Sequence, residues 1–282
     1  MKINSILANH ADFPEKLRFI PDAPRELFYR GNLPEQGRLH VAIIGSRKPT
    51  AYGREVTQKL AEGLAARGAV IVSGLALGVD AIAHQGALSV GGMTIAVLAG
   101  GVDKPSPFTN RAIAEGILDG HGAIVSEYEP GIPPIARNFV IRNRIVSGLS
   151  DILIVTEASE RSGTLNTVSH ALTQGRDVYA VPGNITSPSS RGCNRLIAQG
   201  ASPITDIDEF IAQLFPEESD APMLFAATPD EKAILDLLKA GVRDGDELHE
   251  KSGLDAALFG STMTMLEIRG TIRPLGANKW RI

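Results

Sequence analysis

Short unbroken apolar runs recur along this chain, each followed by Gly, Ser or Pro and then by a longer stretch with helical spacing. Val41-Ala42-Ile43-Ile44 and Ile152-Leu153-Ile154-Val155 have no polar alternation and read as strands buried on both faces. The same reasoning predicts strands at 39–44, 69–72, 94–98, 123–125, 152–156 and 177–181. A helix is expected from near Ala51, with Val56, Leu60 and Leu64 on one face, and another from Ser162 through Gln174. Such alternation predicts an α/β fold: a parallel, doubly wound sheet with helices on both faces.

The ends of the chain break this rhythm. Residues 1–36 hold several prolines and the strand-like segment Glu26–Gly31, a lead-in to a main domain at 37–215. Residues 216–227 read as a linker. Thr228-Pro229 then looks like a helix cap with proline in the first turn. Helices at about 229–240, 244–251 and 254–268, closed by a hairpin over 271–280, predict a small C-terminal winged-helix domain at 228–282. From Thr228 to Ile282 there are 8 Lys+Arg against 9 Asp+Glu, a net of −1. A groove-reading module carries a basic face, so the balance favours a protein-interaction or accessory role for this domain.

Composition narrows the function classes. Of 282 residues, 43% are apolar, enough for one large core and a small second one. No apolar run reaches the roughly twenty residues of a membrane span, and Met1–Ser5 lacks a signal-peptide core. The expectation is a cytoplasmic protein with no membrane partner. One cysteine, Cys193, and 6 scattered histidines leave no disulfide framework and no zinc spacing, and no metal or cofactor is expected. With a net charge of −4, nucleic acid would have to be held by a local basic patch.

Candidate chemistry gathers where strands end, because open α/β sheets bind ligands at their carboxyl edge. Gly45-Ser46-Arg47-Lys48 follows one buried strand: glycine admits close backbone approach, Ser46 offers a hydroxyl, and Arg47 a two-pronged phosphate contact. Ser162-Gly163-Thr164 follows another and opens a helix, where free N–H groups and two hydroxyls make an anion site. Arg142-Asn143-Arg144 adds fixed charge and a planar amide able to address phosphates or base edges. Ser73 and Gly74 stand as a further wall of the crevice or as a plain tight turn. Lys104, in the loop after the third strand, is within the same edge. Tyr128 reads as a packed aromatic rather than a stacking surface, His84 as a packed or capping group, Asn194 as a loop pin and Cys193 as inert.

In sequence order, Val41–Arg47, Val72–His84, Thr94–Asp103, Arg142–Ser150, Ser162–Thr164, Ala180–Gly183 and Asn194–Ala201 resemble the DprA/Smf family of DNA-processing proteins. The resemblance covers roughly residues 26–205, and the tail is similar to the winged helix that many members carry. It implies an extended Rossmann-like fold that binds single-stranded DNA without catalysis, forms a homodimer and loads RecA during natural transformation. It also implies that Gly45, Ser46, Arg47, Ser162, Gly163 and Thr164 cradle backbone phosphates while Arg142 and Asn143 line the same pocket. This chain departs from the family at Ser106-Pro107-Phe108, where Tyr-Pro and often a lysine stand. Contact from that loop would rest on Lys104 or on stacking by Phe108. It departs again at Leu165-Asn166-Thr167, and its first 36 residues are too short for a full helical domain.

Two other functions compete. One is an enzyme like the LOG phosphoribohydrolases, whose Pro-Gly-Gly-x-Gly-Thr-x-x-Glu supplies a glutamate where Thr167 stands here. Glu157 and Glu160 lie near enough to serve as a displaced carboxylate. The other is a nucleotide-binding regulator.

Overall fold

The computed structural model describes residues 2–34, 37–120, 122–215, 228–268, 271–276 and 278–281. The expected linker at 216–227 lies outside the described residues. Met1–Leu214 and Phe215–Ile282 form two separate compact units.

The first unit runs β1 (Asn4–Leu7), α1 (Glu15–Arg18), β2 (Glu26–Gly31), β3 (His40–Ile44), α2 (Ala51–Ala66), β4 (Val70–Ser73), α3 (Val79–Ser89), β5 (Thr94–Val97), α4 (Arg111–Asp119), β6 (Ala123–Ser126), α5 (Ala136–Gly148), β7 (Ile152–Val155), α6 (Thr164–Thr173), β8 (Asp177–Ala180), α7 (Arg191–Ala198), β9 (Ser202–Pro203) and α8 (Ile207–Leu214). Among the described residues these strands form one sheet in the order β1-β2-β6-β5-β4-β3-β7-β8-β9. From β6 to β9 every pairing is parallel. The apolar runs produce this because strands covered on both faces bury both sets of alternating side chains. Ala42 and Ile44 join one core with Val146 of α5, Leu149 just past its end, and Val168 and Ala171 of α6. On the other face Ala96 and Ile124 pack with Ala114, Ile117 and Leu118 of α4.

The expected lead-in is part of the sheet. β1 pairs antiparallel with β2, and β2 antiparallel with β6, placing Phe28 opposite Ser126. Leu17 of α1 is fully buried in the main core, and Lys16 is tied to Asp151 at 2.5 Å.

The crossovers through α2, α3 and α4 step from β3 towards β6, while those through α6 and α7 step the other way. Right-handed connections therefore put the two helix sets on opposite faces. The order reverses beside β3, between β3 and β7, and there the carboxyl edge opens into a crevice.

In the second unit α9 (Pro229–Lys239), α10 (Gly245–Ser252) and α11 (Ala256–Ile268) precede β10 (Arg273–Gly276) and β11 (Lys279–Arg281), an antiparallel pair. Ile234, Leu235, Leu238, Leu248, Met263, Leu266 and Ile272 form its core. Thr228 caps α9 by accepting from the Glu231 N–H at 3.2 Å, and Asp244 caps α10. Three helices and a wing hairpin make this a winged-helix domain.

Candidate functional site

A cavity of about 520 Å³ opens at the reversal point, between the turn after β3, the turn after β4, α5 and the start of α6. Ser46, Arg47, Gly74, Phe139, Arg142, Asn143, Ser162, Gly163 and Thr164 are among its walls.

Backbone contacts lock the turns together. The Ser46 N–H donates to the Glu157 carbonyl at 2.7 Å, and the Val79 N–H to the Ser46 carbonyl at 3.0 Å. At Gly45 a Cβ would sit 2.8 Å from the Glu157 oxygen and from Val79, so only glycine allows the β3 turn to pass there. Gly78, with φ +79°, abuts the backbone of Ser46 and Arg47. The Thr164 hydroxyl donates to the Gly45 carbonyl at 3.1 Å and joins the two turns directly. Ser162 Oγ donates to Thr164 Oγ1 at 2.8 Å and accepts from the Thr164 N–H at 3.2 Å.

This last contact corrects one expectation. Three amides at the α6 start are spent locally: those of Thr164 on Ser162 Oγ, Leu165 on the Ser162 carbonyl and Asn166 on the Gly163 carbonyl. The tight first turn makes these contacts itself, so what this wall presents to the cavity is side chains more than free N–H groups.

The arginines play different parts. Arg142 is 4% exposed, and its Nη1 donates to the Gly74 carbonyl at 2.7 Å and to the Val97 carbonyl, while its Nε is buried without a partner. Burial pushes its guanidinium down to about 10, with Asp80 pulling the other way, so it stays cationic at neutral pH. Burial raises the Asp80 carboxyl, opposed by Arg142 and by the Ala76 and Gly74 N–H groups that it accepts. Arg142 is thus a fixed charge in the cavity wall. Arg47 is exposed, with its guanidinium carbon 5.7 Å from the Phe139 ring centroid; that of Arg142 lies 5.9 Å away.

Arg144 leaves the candidate set. Two residues from Arg142 on a helix, it projects from a different face, where it grips Glu127 through two bonds of 2.6 and 2.7 Å and the Asp22 carbonyl at 2.9 Å. Ser73 leaves it too: it has no exposed surface, and its hydroxyl donates to the Ile43 carbonyl at 2.7 Å. Lys48 is exposed just beyond Arg47, and Lys104 is exposed on the β5 loop; neither lines the cavity.

Phe139 and Asn166 were missed by the sequence reasoning. Phe139, Arg142 and Asn143 are spaced i, i+3, i+4 and share one face of α5, a signal present in the sequence. Asn166 lines the cavity with a buried, unpartnered Oδ1. Asn194 pins the β8 loop through bonds with both the N–H and the carbonyl of Gly183, at 3.1 and 3.0 Å. Cys193 is buried, with its thiol pushed up to about 12 by burial. His84 is fully buried against Thr94, as expected of a packed group.

Neither carboxylate that could serve a hydrolase is free. Glu157 is 3% exposed and accepts from the Thr50 N–H and hydroxyl at the start of α2. Glu160 pairs with Arg195 at 3.2 Å on the surface.

Residues 4–215 match the family described as DNA recombination-mediator protein A, and residues 217–278 match the DprA winged helix domain. Protein Smf of Escherichia coli K12 is 38% identical over 277 residues, 95% of this chain and 74% of that protein. Among solved structures, DNA processing protein A from Helicobacter pylori, studied for its single-stranded DNA binding mode, is 34% identical with a TM-score of 0.69, covering 77% of this chain and 97% of that one. The corresponding Streptococcus pneumoniae structure is 41% identical with a TM-score of 0.70, covering 75% and 74%. With the family match spanning both the sheet and the winged helix, this chain belongs to the DprA/Smf family of DNA-processing proteins.

Proposed function

We propose that this chain binds single-stranded DNA at the reversal-point cavity, makes and breaks no bond there, and acts by holding the strand and passing it to RecA in recombination. The observation that carries the reading is the cavity wall itself, where Arg47, Arg142 and Phe139 converge with the hydroxyls of Ser46, Ser162 and Thr164. Positive charge beside an aromatic face suits a strand whose phosphates are held while a base stacks. The solved relative from Helicobacter pylori, studied for single-stranded DNA binding, supports the same reading. Gly45, Ser46, Arg47, Gly74, Arg142, Asn143, Ser162, Gly163 and Thr164 are the proposed contact and wall residues, with Lys48 and Lys104 adding charge along the edge.

The hand-over to RecA, homodimer formation, a part in natural transformation and a cytoplasmic location rest on the family resemblance. No helix among the described residues is long and apolar enough to cross a membrane. The hydrolase reading finds no support, because both nearby carboxylates are engaged in structural contacts.

The test is fluorescence anisotropy of labelled dT20 and of a 20-mer duplex over a salt series. The single strand should bind more tightly, weakening as salt rises. Equal or absent binding of dT20 at low salt would overturn the reading, and turnover of nucleoside monophosphates would overturn its non-catalytic part.

A further inference from the structure

We infer that Phe108 is a second stacking platform, taking a base of the same strand just outside the cavity; the inference rests on the DNA-binding reading above. Phe108 is 77% exposed. It opens a single 3-10 turn, Phe108–Asn110, in the loop after β5, on the edge that carries the cavity. That loop is held firmly. Asn110, 5% exposed, donates from Nδ2 to the Leu75 and Ala76 carbonyls at 2.9 and 3.1 Å, and its own N–H donates to Pro107 at 3.0 Å.

Ala76 and Gly74 belong to the cavity wall. Through Asn110, the turn that presents Phe108 is therefore hydrogen-bonded to the wall of the proposed DNA site. A ring on such a turn loses little conformational freedom when a base covers it. Leu77, 48% exposed, follows Ala76 on the wall loop, and exposed Lys104 precedes the ring on its own loop. Exposed apolar side chains and a lysine on the two loops tied to the wall of the proposed DNA site suit a nucleotide base better than a protein partner.

Stacking on an aromatic side chain is worth a factor of roughly five to a hundred in affinity per base. The full chain and its F108A and F108W variants are titrated with labelled dT20, and with a dT20 analogue whose bases are replaced by abasic sites. F108A should weaken dT20 binding by at least about fivefold and leave the salt slope unchanged, because no phosphate contact is lost. F108W should restore affinity, and F108A should cost nothing further on the abasic strand. Wild-type affinity in F108A, or an equal loss on the abasic strand, would overturn the stacking role while leaving the cavity reading intact. Failure of the wild-type chain to bind dT20 would instead remove the cavity reading, and this inference with it.

Discussion

Replacing Arg47 with alanine isolates the one cavity arginine whose side chain is exposed. Its structural role is slight: the ring contact with Phe139 at 5.7 Å is worth about 0.5–1 kcal/mol at an exposed site, so the melting temperature should barely move. Its binding role is larger. A hydrogen bond to a charged group contributes about 1.5–3 kcal/mol, so the variant should lose roughly ten- to a hundredfold in dT20 affinity. One phosphate contact fewer should also lower the slope of log K against log salt by about 0.7. Anisotropy titrations at several salt concentrations give both numbers. Loss of affinity with an unchanged slope would mean that Arg47 acts through Phe139 rather than on a phosphate. Unchanged affinity and slope would refute the assignment altogether.

Gly78→Ala should destabilise the protein by about 1–3 kcal/mol, because its φ of +79° strains any Cβ and that Cβ would press on the Ser46–Arg47 backbone; denaturant melts and dT20 titration should fall together, and a wild-type melt would refute the packing argument. His40 and His84 are held neutral, at about 4 and about 3, chiefly by burial. The unfolded chain therefore takes up protons first as pH falls below about 6.5. Stability from each histidine is present above that pH and drains away towards the folded value, by up to roughly 3 kcal/mol for His40. Urea melts between pH 7 and pH 4 should show the decline, and the decline should be shallower in His40→Asn; equal slopes in the two proteins would contradict it.

The parallel strands were legible because a run such as Ile152–Val155, apolar at every position, has few uses other than a strand covered on both faces. Their observed ends fall within a residue or two of expectation, as at β3 and β4. The sheet role of the first residues was not legible, since the partner of β2 lies far along the chain and no local pattern names it. At the site, the two turns and Asn143 follow from strand ends and spacing. Arg144 was misread because neighbouring charges in a sequence look alike until helical rotation separates them. Ser73 stays open in the sequence because a small polar residue at a strand end serves a buried carbonyl, as it does here, as readily as a ligand. Phe139 was passed over because one aromatic in a mixed helix has the signature of core.

The antiparallel annex sets a timetable for synthesis. β1 and β2 leave the ribosome ahead of the strand that receives β2, β6, which follows about a hundred residues later, roughly 5–20 s at ordinary elongation rates. During that interval the hairpin has an unpaired edge and no sheet to join, while the β3–β4–β5 crossovers are being made beside it. A nascent chain stalled before Ala123 would thus hold β2 with the edge that β6 later fills left unpaired, and an unpaired strand edge is a template for pairing with another chain.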